Sequence, residues 1–424
     1  MARVLKRRWS SASVGSGLSR RDSRTCEYEA YVPDPLVGRR ITLDGEVAAD
    51  VADAEGAIAR LNAEASALVD TEALDRILLR AEAVASSRIE GLVIGARRLL
   101  RAEVTRTLPD APSDVTAHEV LNNIDAMILA VERVRPGEAI TVSFLLELHG
   151  RLLGGTRLDQ FGGQFREVQN WIGGSDYNPC SAAFVPPPPE LVPDLMADLC
   201  DFCNNDSLPI VAQAAIAHAQ FETIHPFVDG NGRTGRALIH MVLRRRGLAE
   251  RVLPPVSLVL ATMAGSYIDG LTEFRHLGPG TAPQALEGLN TWVGRFAGAC
   301  HRAVQDATAY EARAAELEAS WRERLGRVRA NSATDRILRI LPGAPILTVD
   351  GAARLLDRTF NPANETIQRL VDAGILQQVS IGKRNRAYEA PEVLSAFTAL
   401  ERRLASPGGD TRTSSPVSRV PGRR

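Results

Sequence analysis

Residues 211 to 246 hold two helical stretches that cannot merge into one helix. Val211–Ile224 repeats apolar residues at helical spacing. So does the run after Arg233, with Leu238, Met241, Val242 and Leu243 on one side and Gly247 as a stop. Between them stand His225-Pro226 and then Asp229-Gly230-Asn231-Gly232. A residue before proline is pushed out of the helical region, so the chain leaves the first helix at His225. It turns through the glycines and starts a second helix near Arg233.

That arrangement makes an anion site. Gly230 and Gly232 let backbone N–H groups converge. The start of the second helix adds free N–H donors and a favourable dipole. Arg233 and Arg236 are three apart, on neighbouring sides of the first turn, and two guanidinium forks suit a polyphosphate. Asp229 is a hard oxygen ligand suited to Mg²⁺ that bridges phosphate oxygens. His225 can accept a proton from a hydroxyl at neutral pH. Base, metal ligand, cradle and clamp within twelve residues describe phosphoryl or nucleotidyl transfer. Gly230 to Gly235 also reads G-x-G-x-x-G, with Glu250 downstream, but a dinucleotide fold needs a strand before it and here a helix and a proline precede. A P-loop lacks its Lys-Ser/Thr. A plain turn with solvated arginines would explain the glycines alone; the His, Asp and two Arg in this order favour chemistry.

The stretch His225-Pro226-Phe227-Val228-Asp229-Gly230-Asn231-Gly232-Arg233-Thr234-Gly235-Arg236 resembles the signature of the Fic family, H-P-F-x-D/E-G-N-G/K-R-x-x-R, at every position. Leu145–Leu153, residues 163–174 with Phe165-Arg166 and Trp171-Ile172, and residues 185–189 look similar too, so the resemblance covers about residues 25–300. It implies a mainly α fold, with a Fic-type helical core and a β-hairpin flap over the site. It implies transfer of AMP from Mg-ATP to a Ser, Thr or Tyr hydroxyl of a target protein, or of the chain itself. His225 would be the base, Asp229 the Mg²⁺ ligand, and Gly230, Asn231, Gly232 and Arg233 the cradle of the α- and β-phosphates. Arg236 would clamp the γ-phosphate, Phe227 would anchor the loop in the core, and the flap would align a target segment by strand addition. Some Fic-like proteins reverse the nucleotide and transfer phosphate; the full glycine and double-arginine pattern argues against that.

A helix expected between Thr71 and Gly91 carries Leu74, Ile77, Leu78, Ala81, Val84, Ala85 and Ile89 on one face. It ends in Ser86-Ser87-Arg88-Ile89-Glu90-Gly91, which resembles the family's inhibitory S/T-x-x-x-E-G/N motif. Ser86 and Glu90 are four apart and would share a helical face. The resemblance implies that Glu90 pairs with Arg236 and misplaces the ATP γ-phosphate. An exposed glutamate at a helix end is the simpler reading if the loop is ignored.

The remaining chain is read from pattern. Helices are expected at 115–134, 142–153, 189–204, 211–224, 233–246, 261–274 and 285–325, the last long enough to be two. Residues 164–172 alternate, Gly173-Gly174 signals a turn, and Ala183-Phe184-Val185 follows, which reads as a hairpin. From about Asn331 three short helices and a hairpin give the order of a winged helix-turn-helix. Its third helix carries Asn361, Asn364, Gln368 and Arg369, and its wing Lys383, Arg384 and Arg386, fit for DNA. Glu365 and Asp372 weaken that basic surface, so dimerisation or target docking stands beside it. A DNA-binding regulator that senses ATP through a Fic core is the alternative function.

The expected division is an unstructured extension over 1–25, an N-terminal helical segment with the inhibitory helix over 26–110 and the catalytic core over 111–300. A linker helix over 301–330, the winged helix over 331–404 and an unstructured tail over 405–424 follow. The 424 residues are 45% hydrophobic with a formal charge of -1, so the balance names no partner. No stretch suits a membrane span or a secretory signal. Five scattered cysteines, among them Cys200 and Cys203 on one helical pattern, suggest a reduced cytoplasmic chain without a disulfide framework. A homodimer is an open expectation.

Overall fold

A computed structural model describes residues 1–10, 19, 21–68, 71–106, 114–381 and 385–403. The elements begin with β1 (Arg3–Trp9), β2 (Cys26–Val32), α1 (Gly45–Leu68), α2 (Thr71–Ile89), α3 (Ala96–Thr105), α4 (Val115–Arg133) and α5 (Val142–Leu153). Then come α6 (Val192–Cys203), α7 (Ile210–Ile224), α8 (Asn231–Arg245), α9 (Val256–Thr262), α10 (Ala264–Phe274) and α11 (Pro283–Leu325). The chain continues with α12 (Ala333–Ile340), β3 (Ile346–Leu347), α13 (Val349–Leu356), α14 (Phe360–Asp372), β4 (Gln377–Ile381), β5 (Asn385–Glu389) and α15 (Pro391–Arg403). The fold is mainly helical with small antiparallel sheets. No helix among the described residues is long and apolar enough to cross a membrane.

Two compact units form, one from residues 1–54, 129–247 and 265–298, the other from 55–128, 248–264 and 299 onward. In the first, α7 and the body of α8 are buried on all sides, the mark of core helices. Ala-rich α7 lets α8 approach so closely that a Cβ on Gly235 would stand 2.7 Å from Glu222 Oε1 and 2.9 Å from Phe221 Cδ1. Trp292 of α11 donates its indole N–H to the Ala215 carbonyl (2.7 Å), and His218 meets the Tyr267 hydroxyl at 2.8 Å. Thr141 caps α5 by accepting the Phe144 N–H.

In the second unit the buried Glu82 of α2 accepts from the backbone N–H (2.7 Å) and hydroxyl (2.5 Å) of Ser257, in the first turn of α9. Gly91, at φ +81°, follows the end of α2, as a left-handed residue suits a helix stop. Three helices, α12 to α14, and the sheet β3-β5-β4 enclose a core that includes Trp321, Leu338, Leu356, Ile367 and Leu370. Ser332 and Thr348 cap α12 and α13. Helix α3 packs Leu100 against Ile346, Ala387 and Leu394, and its Arg97 pairs with the buried carboxylate of Glu389 at 2.8 Å.

Several expectations need correction. Residues 3–9 are no unstructured extension: β1 pairs along its length with β2, setting Lys6 opposite Glu29 and Arg8 opposite Glu27. Opposite charges across a ladder stabilise it, and the basic run that looks solvated alone finds its acidic complement further along the chain. Cys26 and Cys180 form a disulfide across a separation of 154 residues. The chain is therefore not free of disulfides, and the cytoplasmic placement loses the support it drew from the cysteines. Cys200, Cys203 and Cys300 are buried free thiols.

The flap is not a hairpin of two strands. One bridge joins Ile172 and Phe184, because Gly173 and Gly174 (φ 74° and 84°) reverse the chain directly after it and residues 164–170 spend their polar groups on the neighbouring loop. Helix α11 is a single helix; Leu289, Phe296, Cys300, Ala303, Ala307, Tyr310, Leu317 and Trp321 keep its buried stripe unbroken. The expected 261–274 helix is instead α9 and α10, parted at Met263. Lys383, Arg384 and the 405–424 tail lie outside the described residues.

Candidate active site

The site grows from the end of α7. His225 is its C-terminal cap, with φ 49° and ψ 61°, a left-handed conformation that a non-glycine residue rarely adopts. Pro226 forbids continuation of the helix. Phe227 then drops into the core, fully buried, stacked on His149 at 3.7 Å between centroids and 5° between planes. Gly230, at φ 78°, starts α8 without a capping side chain. A Cβ there would meet Leu152 Cδ2 at 2.9 Å, so both backbone and packing select glycine.

The first bond of α8 runs from the Thr234 N–H to the Gly230 carbonyl (3.0 Å). The amides of Asn231, Gly232 and Arg233 precede it in the turn where helices leave N–H groups without intrahelical acceptors. Side chains support the cradle from below. Asn231 is turned inward: its Nδ2 donates to the Phe227 carbonyl (2.9 Å) and its Oδ1 accepts the Phe227 N–H (2.8 Å). The side chain of Asn231 thus closes the loop, leaving its backbone N–H as the group for an anion. Arg233, 5% exposed, donates to Asp229 Oδ1 at 2.9 Å. Arg236 is 1% exposed. Two guanidinium groups lie buried in one turn at the positive end of a helix.

His225 is one-fifth exposed, and its Nδ1 stands 3.9 Å from Glu222 Oε2. Asp229 is 44% exposed at the side chain. Among the described residues no three His, Cys, Asp or Glu gather to hold a metal. A single exposed carboxylate fits the type of Mg²⁺ site that takes its other ligands from phosphate and water.

Four residues of this site lie outside the loop signature. His149 meets the Asp229 carbonyl through Nε2 (2.9 Å) and accepts the Gly163 N–H at Nδ1 (3.1 Å). Burial, with a smaller push from Arg233, lowers its pKa to about 4, so it is neutral. Arg166 is 3% exposed and directs its guanidinium at main-chain carbonyls: His225 (2.8 Å), Pro187 (2.5 Å), Ile224 and Val168 (3.3 Å each). Burial lowers its pKa to about 10, which leaves it charged at neutral pH. Asn170 Nδ2 donates to the carbonyls of Phe227 (3.0 Å) and His225 (3.3 Å). Glu222 is the fourth; its signal was that it is the one carboxylate on the Ala-rich α7. His149 and Asn170 gave none, since a histidine or asparagine amid apolar residues is common.

Ser86 and Glu90 belong to the other compact unit. Ser86 is fully buried within α2, whereas Glu90 is exposed in the turn past Ile89, its N–H bonded to the Ser87 carbonyl. Helix α2 stops one residue short of Glu90.

Known proteins bear on this geometry. The sequence model of the Fic/DOC family matches residues 139–243, and that of the Fic/DOC family N-terminal region matches residues 48–132. The chain is 35% identical over 131 residues to the protein adenylyltransferase fic-1 of Caenorhabditis briggsae, covering 30% of this chain and 23% of that protein. It is 33% identical over 211 residues to the protein adenylyltransferase Fic of Drosophila willistoni, covering 47% of this chain and 40% of that protein. The chain thus spans less than half the length of these curated relatives. The crystal structure of a Fic family protein from Desulfovibrio desulfuricans G20 superposes with a TM-score of 0.51 at 21% identity, over 83% of this chain and 98% of that one, a likeness of fold. The match over residues 139–243 takes in α5, α7, the glycine turn and the first turn of α8, the elements that build the site, so the part of the chain that matches the Fic/DOC family is the part that carries the site.

Proposed function

We propose that the chain is a protein adenylyltransferase that transfers AMP from ATP to a Ser, Thr or Tyr hydroxyl of a target protein. The observation that carries this reading is the uncapped start of α8, with Arg233 and Arg236 buried in its first turn and His225 held at the end of α7. The amides of Asn231 and Gly232 and the Arg233 guanidinium cradle the α- and β-phosphates, Gly230 gives them room, and Arg236 takes the γ-phosphate. Asp229 would hold Mg²⁺, which supplies charge neutralisation on the phosphates. The acceptor oxygen bonds to the α-phosphorus, its proton passes to His225, and the bond to the β-phosphate breaks to release pyrophosphate. The names of the relatives from C. briggsae and D. willistoni support this reading.

Exposed Val168, Ile172 and Tyr177 on the flap and Val228 on the loop offer an apolar rim for an extended target segment. The Ser86–Glu90 motif supports a brake in which Glu90 competes with the γ-phosphate for Arg236. The C-terminal segment reads as a winged helix-turn-helix, whose α14 exposes Asn361, Asn364 and Gln368; a gel shift that weakens with salt would mark it as a DNA reader.

The test uses ATP labelled at the α- or the γ-phosphate, Mg²⁺ and the purified chain, alone and with candidate acceptors. Protein that retains α-label but not γ-label supports AMP transfer. His225→Ala should abolish labelling and Glu90→Gly should raise it. Retention of γ-label would replace the proposal with phosphate transfer.

A further inference from the structure

Four consecutive carbonyls at the end of α7 are held by two residues of the flap. Arg166 donates from its side chain to the carbonyls of Ile224 (3.3 Å) and His225 (2.8 Å), and from its backbone N–H to that of Pro226 (3.0 Å). Asn170 donates to those of His225 (3.3 Å) and Phe227 (3.0 Å). The His225 carbonyl therefore accepts from both.

His225 is one of three described non-glycine residues with positive φ. Such a backbone persists only where its surroundings over-determine it. Helix α7 contributes one bond, from the His225 N–H to the Phe221 carbonyl (2.9 Å). The flap contributes the bonds on the other side of the same Cα. Pro226 brings no N–H, so the peptide unit after His225 can be fixed only through its carbonyl. Rotation of that unit would carry the imidazole away from the start of α8.

We infer that Arg166 and Asn170 are positioning residues for His225: they hold its carbonyl, fix its left-handed conformation, and so aim the imidazole at the acceptor hydroxyl. This deepens the reading of His225 as the base and rests on it. The chemistry suits the task. Arg166 has no acidic partner within salt-bridge distance among the described residues; its side-chain hydrogen bonds all go to carbonyl oxygens, with Glu190 acting only as a more distant opposite charge. A cation at a helix C-terminus answers the carbonyls left there without partners. Asn170 lies two residues before Ile172, the residue of the flap bridge. The segment that would align the target therefore also sets the base, and docking and base placement share one piece of chain.

The test uses the full chain. Asn170→Ala keeps Arg166 and the buried charge in place, while Arg166→Lys keeps the charge but loses the fork. In α-labelled transfer, Asn170→Ala should lower kcat about ten- to a hundredfold while KM for ATP moves less than about threefold, as a displaced reacting group predicts. In a His225→Ala background the same change should cause no further loss in the residual rate. Acylation of His225 by diethyl pyrocarbonate, read by mass spectrometry, should change rate in Asn170→Ala while other histidines do not; this readout stands even if no AMP is ever transferred. An unchanged kcat together with unchanged acylation would overturn the assignment. So would a rise in KM that matches the fall in kcat, since that marks a phosphate cradle disturbed as a whole. If Arg166→Lys does not fold, Asn170→Ala alone decides.

Discussion

His149 stacks flat on Phe227, and its two ring nitrogens bind the Asp229 carbonyl and the Gly163 amide. One neutral tautomer satisfies both, with Nε2 as donor and Nδ1 as acceptor. Protonation would put a second donor where the Gly163 N–H points. Burial accordingly lowers its pKa from 6.5 to about 4. Between those values the unfolded chain binds a proton that the folded chain refuses. Stability is full above about pH 6.5 and falls as pH drops towards 4, by about 3 kcal/mol from this group. Urea midpoints measured from pH 7 to 4 should show that decline, and His149→Gln should flatten part of it. An identical slope in the variant would assign the decline to other groups, such as His218, which burial also lowers, to about 3.

Gly235 and Gly298 should respond to alanine with opposite sign. At Gly235 the new methyl would stand within 3 Å of both the Glu222 carboxylate and the Phe221 ring. Helices α7 and α8 would have to part, at a cost of about 1–3 kcal/mol. At Gly298, inside α11, nothing lies within 4 Å of the added methyl. Alanine there should stabilise by about 0.5–1 kcal/mol through helix propensity. Denaturant midpoints of the two variants check both, and a stabilised Gly235→Ala would refute the close packing.

Glu82 takes the place of a cap for α9, a helix that Pro255 precedes without one. Its removal strands the Ser257 N–H and hydroxyl in a buried setting. Glu82→Ala should lose about 2–3 kcal/mol, the range for buried hydrogen bonds to a charged acceptor. Glu82→Gln, which keeps one acceptor oxygen, should lose less. Equal losses would mean that volume, not hydrogen bonding, is what Glu82 supplies.

The Cys26–Cys180 link closes a loop of 154 residues. Chain entropy alone assigns such a closure about 5 kcal/mol. Non-reducing peptide mapping should recover the two cysteines on one cross-linked peptide. Thermal unfolding with a dithiol reductant should start at lower temperature in the wild type and be unaffected in a Cys26→Ser variant. Free thiols at both positions in non-reduced protein would contradict the pairing.

Much of the site was legible before any coordinates. The end of α7 at His225, the glycine turn and the start of α8 follow from local rules about proline, glycine and helix ends, which act over a few residues; the left-handed φ of His225 does not, since a residue before proline is ordinarily extended. So do the three short helices and the hairpin after residue 331. What local rules could not see was contact at a distance. The β1 strand depends on glutamates 19 and 23 residues away, and the disulfide on a partner 154 residues on. Asn231 looked like a phosphate ligand, yet its side chain serves the loop. The sequence by itself determined which groups can do the chemistry, because residue type sets charge, proton affinity and allowed φ. Only the tertiary structure decided what holds them, because Arg166, Asn170 and His149 reach the loop across 55 to 80 residues of chain, and no periodicity records a hydrogen bond made over that distance.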